Sequence, residues 1–358
     1  MEITMARIEI KTLVDANPDL PRHDSASIVE LRDGRLLLAW MEHRGGDEIG
    51  HDHAPCNIAS MVSSDNGQTW TDRKILVENN PGDINIHYPC FLRLQSGDIL
   101  FYYVRQHELE PGQPMKQTSY VCRSSDDGAT FSTPTEHACR GRPLTQHSSG
   151  RILLPNQKQL GSWCGDSDHQ LAGCYYSDDD GHHWKEADSW VDLPMRGAME
   201  PHIAELKDGR LLMFLRTELG AVFQSTSNDR GETWSKPQTT ALRGPESMRC
   251  LTRIPKNGDL LVIWNNSLFD PNYDHRGKRT PLTVAISKND GQNWRNIKDL
   301  ETDPNYEFTN PSCHFTSNDK VIITYLASKM DNPDPPGRLG RSIMPLKVAI
   351  ADVDWFYE

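Results

Sequence analysis

An aspartate set between two histidines, in Gly50-His51-Asp52-His53-Ala54-Pro55, is the best candidate in this chain for an acid/base carboxyl, with Asp47 and Glu48 as rivals just upstream. Protonating a leaving oxygen requires a carboxyl whose pKa is raised by burial or by a nearby like charge. A loop shielded by a neighbouring element would meet that requirement. Glu200, in Glu200-Pro201-His202, is the second carboxylate of interest. Asp52 and Glu200 would make the paired carboxylates of a glycosidase, their separation deciding between retention and inversion. His23, His87 and His202 each stand close to the start of a strand-like run. At such places histidines orient sugar hydroxyls, exchange protons near neutral pH or bind a metal. His51-x-His53 adds to the metal idea, but its loop context is loose and no metal is expected. Glu246, followed by Ser247 and Arg249, is a further lining candidate. The eight cysteines are scattered without a CxxC pair, so metal-ligand spacing is absent and buried, reduced thiols are expected.

Such side chains act together only if something rigid positions them, and the chain supplies it by repetition. Ser63-Ser64-Asp65-Asn66-Gly67-Gln68-Thr69-Trp70 returns as SSDDGATF from Ser124, SDDDGHHW from Ser177, SNDRGETW from Ser227 and SKNDGQNW from Ser287. The pattern is S-x-D-x-G-x-T-W. Its aspartate accepts N–H groups of its own turn, its glycine takes the positive φ the turn needs, and its aromatic residue pins the turn onto apolar neighbours. These carboxylates are therefore structural. A second element alternates with the first: two apolar runs bracketing a turn at Gly34, Gly97, Gly150, Gly209, Gly258 and Asn318-Asp319. Apolar strands around a D-G or N-G turn are a strong hairpin signal. Six such units, about 50–60 residues apart, each with two hairpins, predict four-stranded antiparallel blades. No long 3.6-residue apolar period interrupts them. The expected fold is all-β: a single six-bladed β-propeller domain over residues 1–358, with the strand at 345–352 pairing with N-terminal strands to close the ring.

The 358 residues carry 38 Lys and Arg against 50 Asp and Glu, a net charge of −12. Such a surface repels phosphate backbones and anionic lipid, so neither nucleic acid nor membrane is an expected partner. No apolar run approaches about 18 residues and no signal peptide is visible, which makes a cytoplasmic location the expectation. The sequence says nothing about oligomeric state.

The S-x-D-x-G-x-T-W elements are Asp-boxes, and from about Arg22 to Trp355 the chain resembles the sialidase/neuraminidase superfamily of propellers. Glu200 to Ser235 looks like the blade carrying a catalytic-support Glu and one substrate-binding Arg. Lys278 to Trp294 is similar to the blade that brings another Arg, and the stretch from Arg44 to Trp70 resembles the one in which an acid/base Asp precedes the first box. The resemblance implies three arginines gripping a sugar carboxylate, since planar guanidinium forks match carboxylate geometry. Arg216, at the end of a strand leaving a D-G turn, and Arg279, before the strand Leu282–Ser287, fit two of them. The third is expected about ten residues before Gly34, where the chain has Asp24, with Arg22 two positions earlier. The resemblance also implies a nucleophilic tyrosine ionised by a Glu such as Glu200. The matching segment reads Glu307-Phe308-Thr309-Asn310-Pro311-Ser312, with Pro311 or its neighbour at the tyrosine position and Tyr306 the nearest tyrosine.

The leading expectation is a sialidase-like glycoside hydrolase that removes a terminal residue from an acidic or polar oligosaccharide. It would use Asp52, Glu200 and Tyr306 for chemistry. Arg22, Arg216, Arg279, His23, His87, His202 and Glu246 would line a locally positive central funnel, the three histidines at equivalent blade positions. No cofactor is implied. The alternatives are a polysaccharide lyase or histidine-dependent glycosidase on the same propeller, and a non-catalytic carbohydrate- or protein-binding propeller.

Overall fold

The computed structural model describes residues 7–45, 52, 54–107, 116–137, 143–161, 168–330 and 343–358. Each apolar–turn–apolar unit folds as expected. In the first, Leu31 and Gly34 close the hairpin (Leu31 N to Arg35 O, 2.7 Å; Gly34 N to Leu31 O, 2.9 Å), with Gly34 at φ 84°. The fourth repeats the same pair of bonds at Leu206 and Gly209.

Six four-stranded sheets result. Their innermost strands are Arg22–Glu30, Asp83–Arg93, Thr145–Gln146, Met199–Glu205, Cys250–Arg253 and Tyr306–Phe315, in blades 1 to 6. Blades 1 to 5 are each built from one continuous stretch. Blade 6 takes three strands from the end of the chain and its outermost from the beginning, Glu9–Val14 pairing antiparallel with Leu346–Asp352 (Glu9 opposite Ile350). The expected closure is thus observed. Among the described residues the only helix is the short 3₁₀ turn Val353–Tyr357.

Alternation of side chains along strands buried on both faces puts apolar groups between blades. Six core clusters follow, one at each contact between neighbouring blades. Ile28, Leu38 and Trp40 of blade 1 meet Ile322, Val348 and Ile350 of blade 6, and Leu261, Ile263 and Val284 of blade 5 meet Ile323, Tyr325 and Ala349 of blade 6.

The Asp-boxes perform the structural task read from their residues. In the first, Asp65 Oδ1 accepts from Ser63 Oγ and Thr69 N (both 2.8 Å), and Trp70 Nε1 donates to Gly67 O at 3.0 Å. Gly67 is required twice over: its φ is 83°, and a Cβ there would lie 2.9 Å from Ile322 Cδ1 of the adjacent blade. Hairpin turns and boxes share one end of the barrel of blades. The opposite end, where innermost strands begin, is left to the candidate side chains.

Candidate functional site

Four innermost strands begin with the same irregularity. The register slips between Asp24 and Ser27, His87 and Cys90, Met199 and His202, and Thr309 and Ser312. At each slip sits a non-glycine residue in the left-handed region: Ser25 (φ 45°), Tyr88 (60°), Glu200 (41°) and Asn310 (53°). Each stands nine positions before its turn residue (Gly34, Gly97, Gly209, Asp319), and three are followed by proline. Bulges of this kind re-aim side chains, and backbone strain of this kind concentrates at functional sites. Ser25, Tyr88 and Asn310, with His202 and Met248, line the mouth of a central channel of about 990 Å³ that runs down to Arg32 and Asp33 in a turn at the far end.

Two ionic clusters border this mouth. In the first, Arg22 donates to Asp24 Oδ2 (Nε 3.1 Å, Nη2 2.5 Å) and to Asp52 Oδ1 (2.7 Å). Asp24, 1 % exposed, also accepts from the Ser25 amide (2.6 Å) and from Asn310 Nδ2 (2.7 Å). The aspartate standing where the sialidase resemblance expects an arginine is therefore bonded to Asn310, a neighbour of Pro311 in the segment where it expects a tyrosine. His43, fully buried, faces Arg22 and Asp24; burial, then the Arg22 charge, pull its pKa well down.

The second cluster is built on Arg216, whose guanidinium bridges Glu200 (Nη1 to Oε2, 2.8 Å) and Glu246 (Nη2 to Oε1, 3.0 Å). Arg196 joins Glu246 to Asp168, 2.6 Å from the latter. Arg279 donates to the Glu246 carbonyl at 3.0 Å, and its buried Nε has no hydrogen-bond partner among the described residues. His275, on the loop between Asn265 and Leu282, places Nδ1 3.3 Å from Glu246 Oε2. Burial opposes the charge on Glu246, but Arg216, His275 and Arg196 outweigh it and hold the carboxyl below its ordinary range. Glu307 is shifted the other way: burial raises it, and Arg279 counters only part of that. Arg249, 1 % exposed, donates to the Leu215 carbonyl beneath Arg216.

This geometry corrects several expectations. Asp52 pairs with Arg22, but its side chain is 59 % exposed, and what desolvation it has is outweighed by Arg22, which holds its pKa below the ordinary carboxylate range; that is the state of a base or an electrostatic group, not of a proton donor. Tyr306 is not brought to Glu200. Two residues from Phe308 along the strand, it shares that residue's face, stacking on its ring with centroids 6.0 Å apart and packing against the core between blades 5 and 6. The histidines are not equivalent, since His23, His87 and His202 fall two before, one before and two after the left-handed residue of their bulges. His23 is turned into the blade, where its Nδ1 accepts from Trp40 Nε1 at 3.0 Å. His87 is buried with its ring edge-on to Tyr88, and only His202 lines the channel. Nor is the mouth a positive island. Arg22, Arg196, Arg216, Arg249 and Arg279 meet Asp24, Asp52, Asp168, Glu200 and Glu246, and of these arginines only Arg249 and Arg279 lack a carboxylate hydrogen bond among the described residues.

Asp47, Glu48 and the His51-x-His53 pair (apart from Asp52 between them) lie outside the described residues, as do Cys139 and Cys164. Among the described residues no group of His, Cys, Asp and Glu is arranged to hold a metal ion, and Cys56, Cys122, Cys174, Cys250 and Cys313 are free thiols. Asp168, Arg196, His275, Tyr88 and Asn310 were not anticipated. The nine-residue interval to the turn was the signal for the last two; nothing in the sequence marked the first three.

Comparison with known proteins agrees with this architecture. The BNR repeat-like domain family matches residues 34–323. The anhydrosialidase of Macrobdella decora is 38 % identical over 156 residues, which is 43 % of this chain and 17 % of that protein. A protein of unknown function from Dyadobacter fermentans superimposes with a TM-score of 0.72 at 18 % identity, covering 96 % of this chain and 99 % of its own. The NanB sialidase of Streptococcus pneumoniae, as its K499G mutant, gives 0.70 at 15 % identity over 95 % of this chain and 70 % of that one. A leech intramolecular trans-sialidase, in complex with 2,7-anhydro-Neu5Ac, gives 0.71 at 14 % over 97 % and 71 %. At those identities the likeness of the solved structures is one of fold. With the family matched over most of this chain and six four-stranded blades closed on one another, five of them carrying an Asp-box, the chain belongs to the BNR repeat-like domain family.

Proposed function

We propose that the protein is a sialidase-like glycoside hydrolase that removes a terminal residue from an acidic or otherwise polar oligosaccharide, bound across the channel mouth. The observation that carries this reading is the joining of Glu200, Glu246, Arg196, Arg216 and Arg279 into one network at that mouth, with Glu246 and Arg279 buried and the other three half-buried. A merely solvated surface has no reason to draw five ionic groups out of solvent together, since each charge costs desolvation that only good pairing offsets. Arg279, whose side chain among the described residues bonds only the Glu246 carbonyl, has guanidinium capacity left for a substrate anion. Glu200 supplies negative charge beside the anomeric centre. With no tyrosine at Pro311 or its neighbours and Asp24 in place of the arginine of the sialidase pattern, this reading does not extend to the sialidase double displacement through tyrosine.

The test is a panel of 4-nitrophenyl glycosides of sialic acid, uronic acids and neutral deoxysugars, run alongside a uronic-acid polymer. The expected result is release of 4-nitrophenol from an acidic sugar, with kcat/KM falling about tenfold or more in Arg279→Lys, which keeps the charge but not the fork. An absorbance rise from an unsaturated sugar, without aryl release, would replace the hydrolase with the lyase reading. Binding without turnover of anything would leave only a carbohydrate-binding propeller.

A further inference from the structure

The Glu246–His275 pair has the form of a carboxylate–imidazole dyad, and nothing in the sialidase-like reading uses it. Glu246 is 1 % exposed and is held from three sides: by Arg216, by Arg196 and by the backbone, where its own amide donates to the His275 carbonyl at 2.7 Å. Its Oε2 is the atom facing His275 Nδ1. An ionised carboxylate only accepts hydrogen bonds, so the imidazole must carry its proton on Nδ1. The lone pair is then on Nε2. The imidazole is also the member of the pair that meets solvent, its side chain 23 % exposed. Besides Glu246, the charges acting on it are cations, Arg279 on its own loop and Arg216 at the end of Leu211–Arg216, the two arginines of the site where a substrate anion is proposed to bind.

We propose that His275 is the general base of the reaction and that Glu246 is the residue positioning it. The inference rests on the glycosidase reading and deepens it. In the step, Nε2 takes a proton from a water molecule as that water's oxygen forms a bond to the anomeric carbon. The glycosidic C–O bond breaks, and its electron pair leaves on the departing oxygen, as phenolate from an aryl glycoside. Glu246 stabilises the imidazolium, which returns its proton to solvent. Burial first, then Arg279, pull the imidazole down to about 4, so it is neutral and able to accept a proton over the whole physiological range.

The test uses the 4-nitrophenyl glycoside of the panel that is turned over fastest, because its leaving group needs no acid assistance and isolates the base. His275→Gln fills similar space without the basic nitrogen. The expected outcome is a fall in kcat of about 10²-fold or more with KM little changed, loss of the acid limb of the kcat–pH profile, and an unchanged melting temperature. Independently, ¹⁵N-histidine spectra at neutral pH should show the signal missing from His275→Gln as the Nδ1–H tautomer. Undiminished turnover by His275→Gln, or an Nε2–H tautomer at His275, overturns the base assignment while leaving the glycosidase reading intact. Failure of the wild type on every glycoside overturns both.

Discussion

At the scale of single residues, the mouth is governed by which charge sees which. Arg279 is the clearest case. The resemblance suggests a clamp on a substrate carboxylate, yet its side chain is buried, donates to the Glu246 carbonyl and lies among Arg216, Glu307 and Glu246. Its charge is felt at His275, where it is the largest influence after burial. Removing it with Arg279→Gln should therefore raise the His275 pKa from about 4 toward, but not up to, the ordinary histidine value near 6.5, since the burial contribution stays. Titration of the His275 ring by two-dimensional NMR checks this; an unchanged or lower value would mean that the two side chains do not share the site. Much of the residue scale was not legible in the sequence. A bulge shifts the side-chain alternation by one, so His23, His87 and His202, each near the start of an innermost strand, end on different faces. Arg196 and Asp168 come from loops whose meeting depends on three blades at once. Arg216 and Glu200 were legible because hairpin pairing fixes a strand end to the strand start opposite it, and Met199 pairs with Arg216.

At the scale of elements, the repeats made the fold readable, because each turn carries its own hydrogen-bond program. Asp229 Oδ1 accepts from Ser227 Oγ (2.7 Å) and Thr233 N (2.9 Å), and the Thr233 hydroxyl donates to its second oxygen. Asp229→Ala removes these acceptors in a partly exposed turn, at an expected cost of about 1–2 kcal/mol, which for a chain of this size is a melting-temperature drop of roughly 1–3 °C. Turnover per folded molecule should not change, the box lying at the end of the propeller away from the mouth. A pH dependence follows from the second box. The Thr130 hydroxyl and amide, with the Ser124 hydroxyl, pull Asp126 down to about 2, while an unfolded aspartate sits near 3.8. A carboxylate depressed by folding stabilises the native state above its unfolded pKa and loses that contribution as pH falls through the folded one. The loss from this box thus falls between about pH 4 and pH 2. Asp126→Asn copies what blade 5 already has at Asn289, whose Oδ1 accepts from the Asn293 amide at 2.9 Å. It should reduce the acid dependence of the melting temperature in that window, and an acid limb as steep as the wild type's would refute the assignment.

For the molecule as a whole, stability rests on one seam. Blades 1 to 5 are each continuous in the chain, so only the contact between the last blade and the first joins distant parts of it. There Glu9–Val14 completes blade 6, Ile10 and Leu13 pack against the two adjoining cores, and Arg22 bridges to Met344. Glu30 of blade 1 accepts from the Ser317 amide (2.7 Å) and hydroxyl (2.6 Å) of blade 6, and Asn310 reaches Asp24 across the same seam at the mouth. The site is thus coupled to closure: the Asp24–Asn310 bond exists only while the ring is shut. A chain lacking residues 1–14 would expose the edge of Leu346–Asp352 and uncover apolar side chains, and an open edge of that kind recruits strands from other molecules. Its melting temperature should fall by far more than any single box substitution lowers it, and it should aggregate. A synthetic peptide of residues 7–15 added in trans should restore the missing strand by edge pairing. The melting temperature should then rise with peptide concentration, because a ligand that binds only the native state stabilises it by mass action. Turnover should return in step, since the peptide re-forms the seam that Asp24 and Asn310 share. A scrambled peptide of the same composition should do neither. Equal rescue by the scrambled sequence, or a truncated chain as stable as the full one, would show that the ring is closed by something other than this strand.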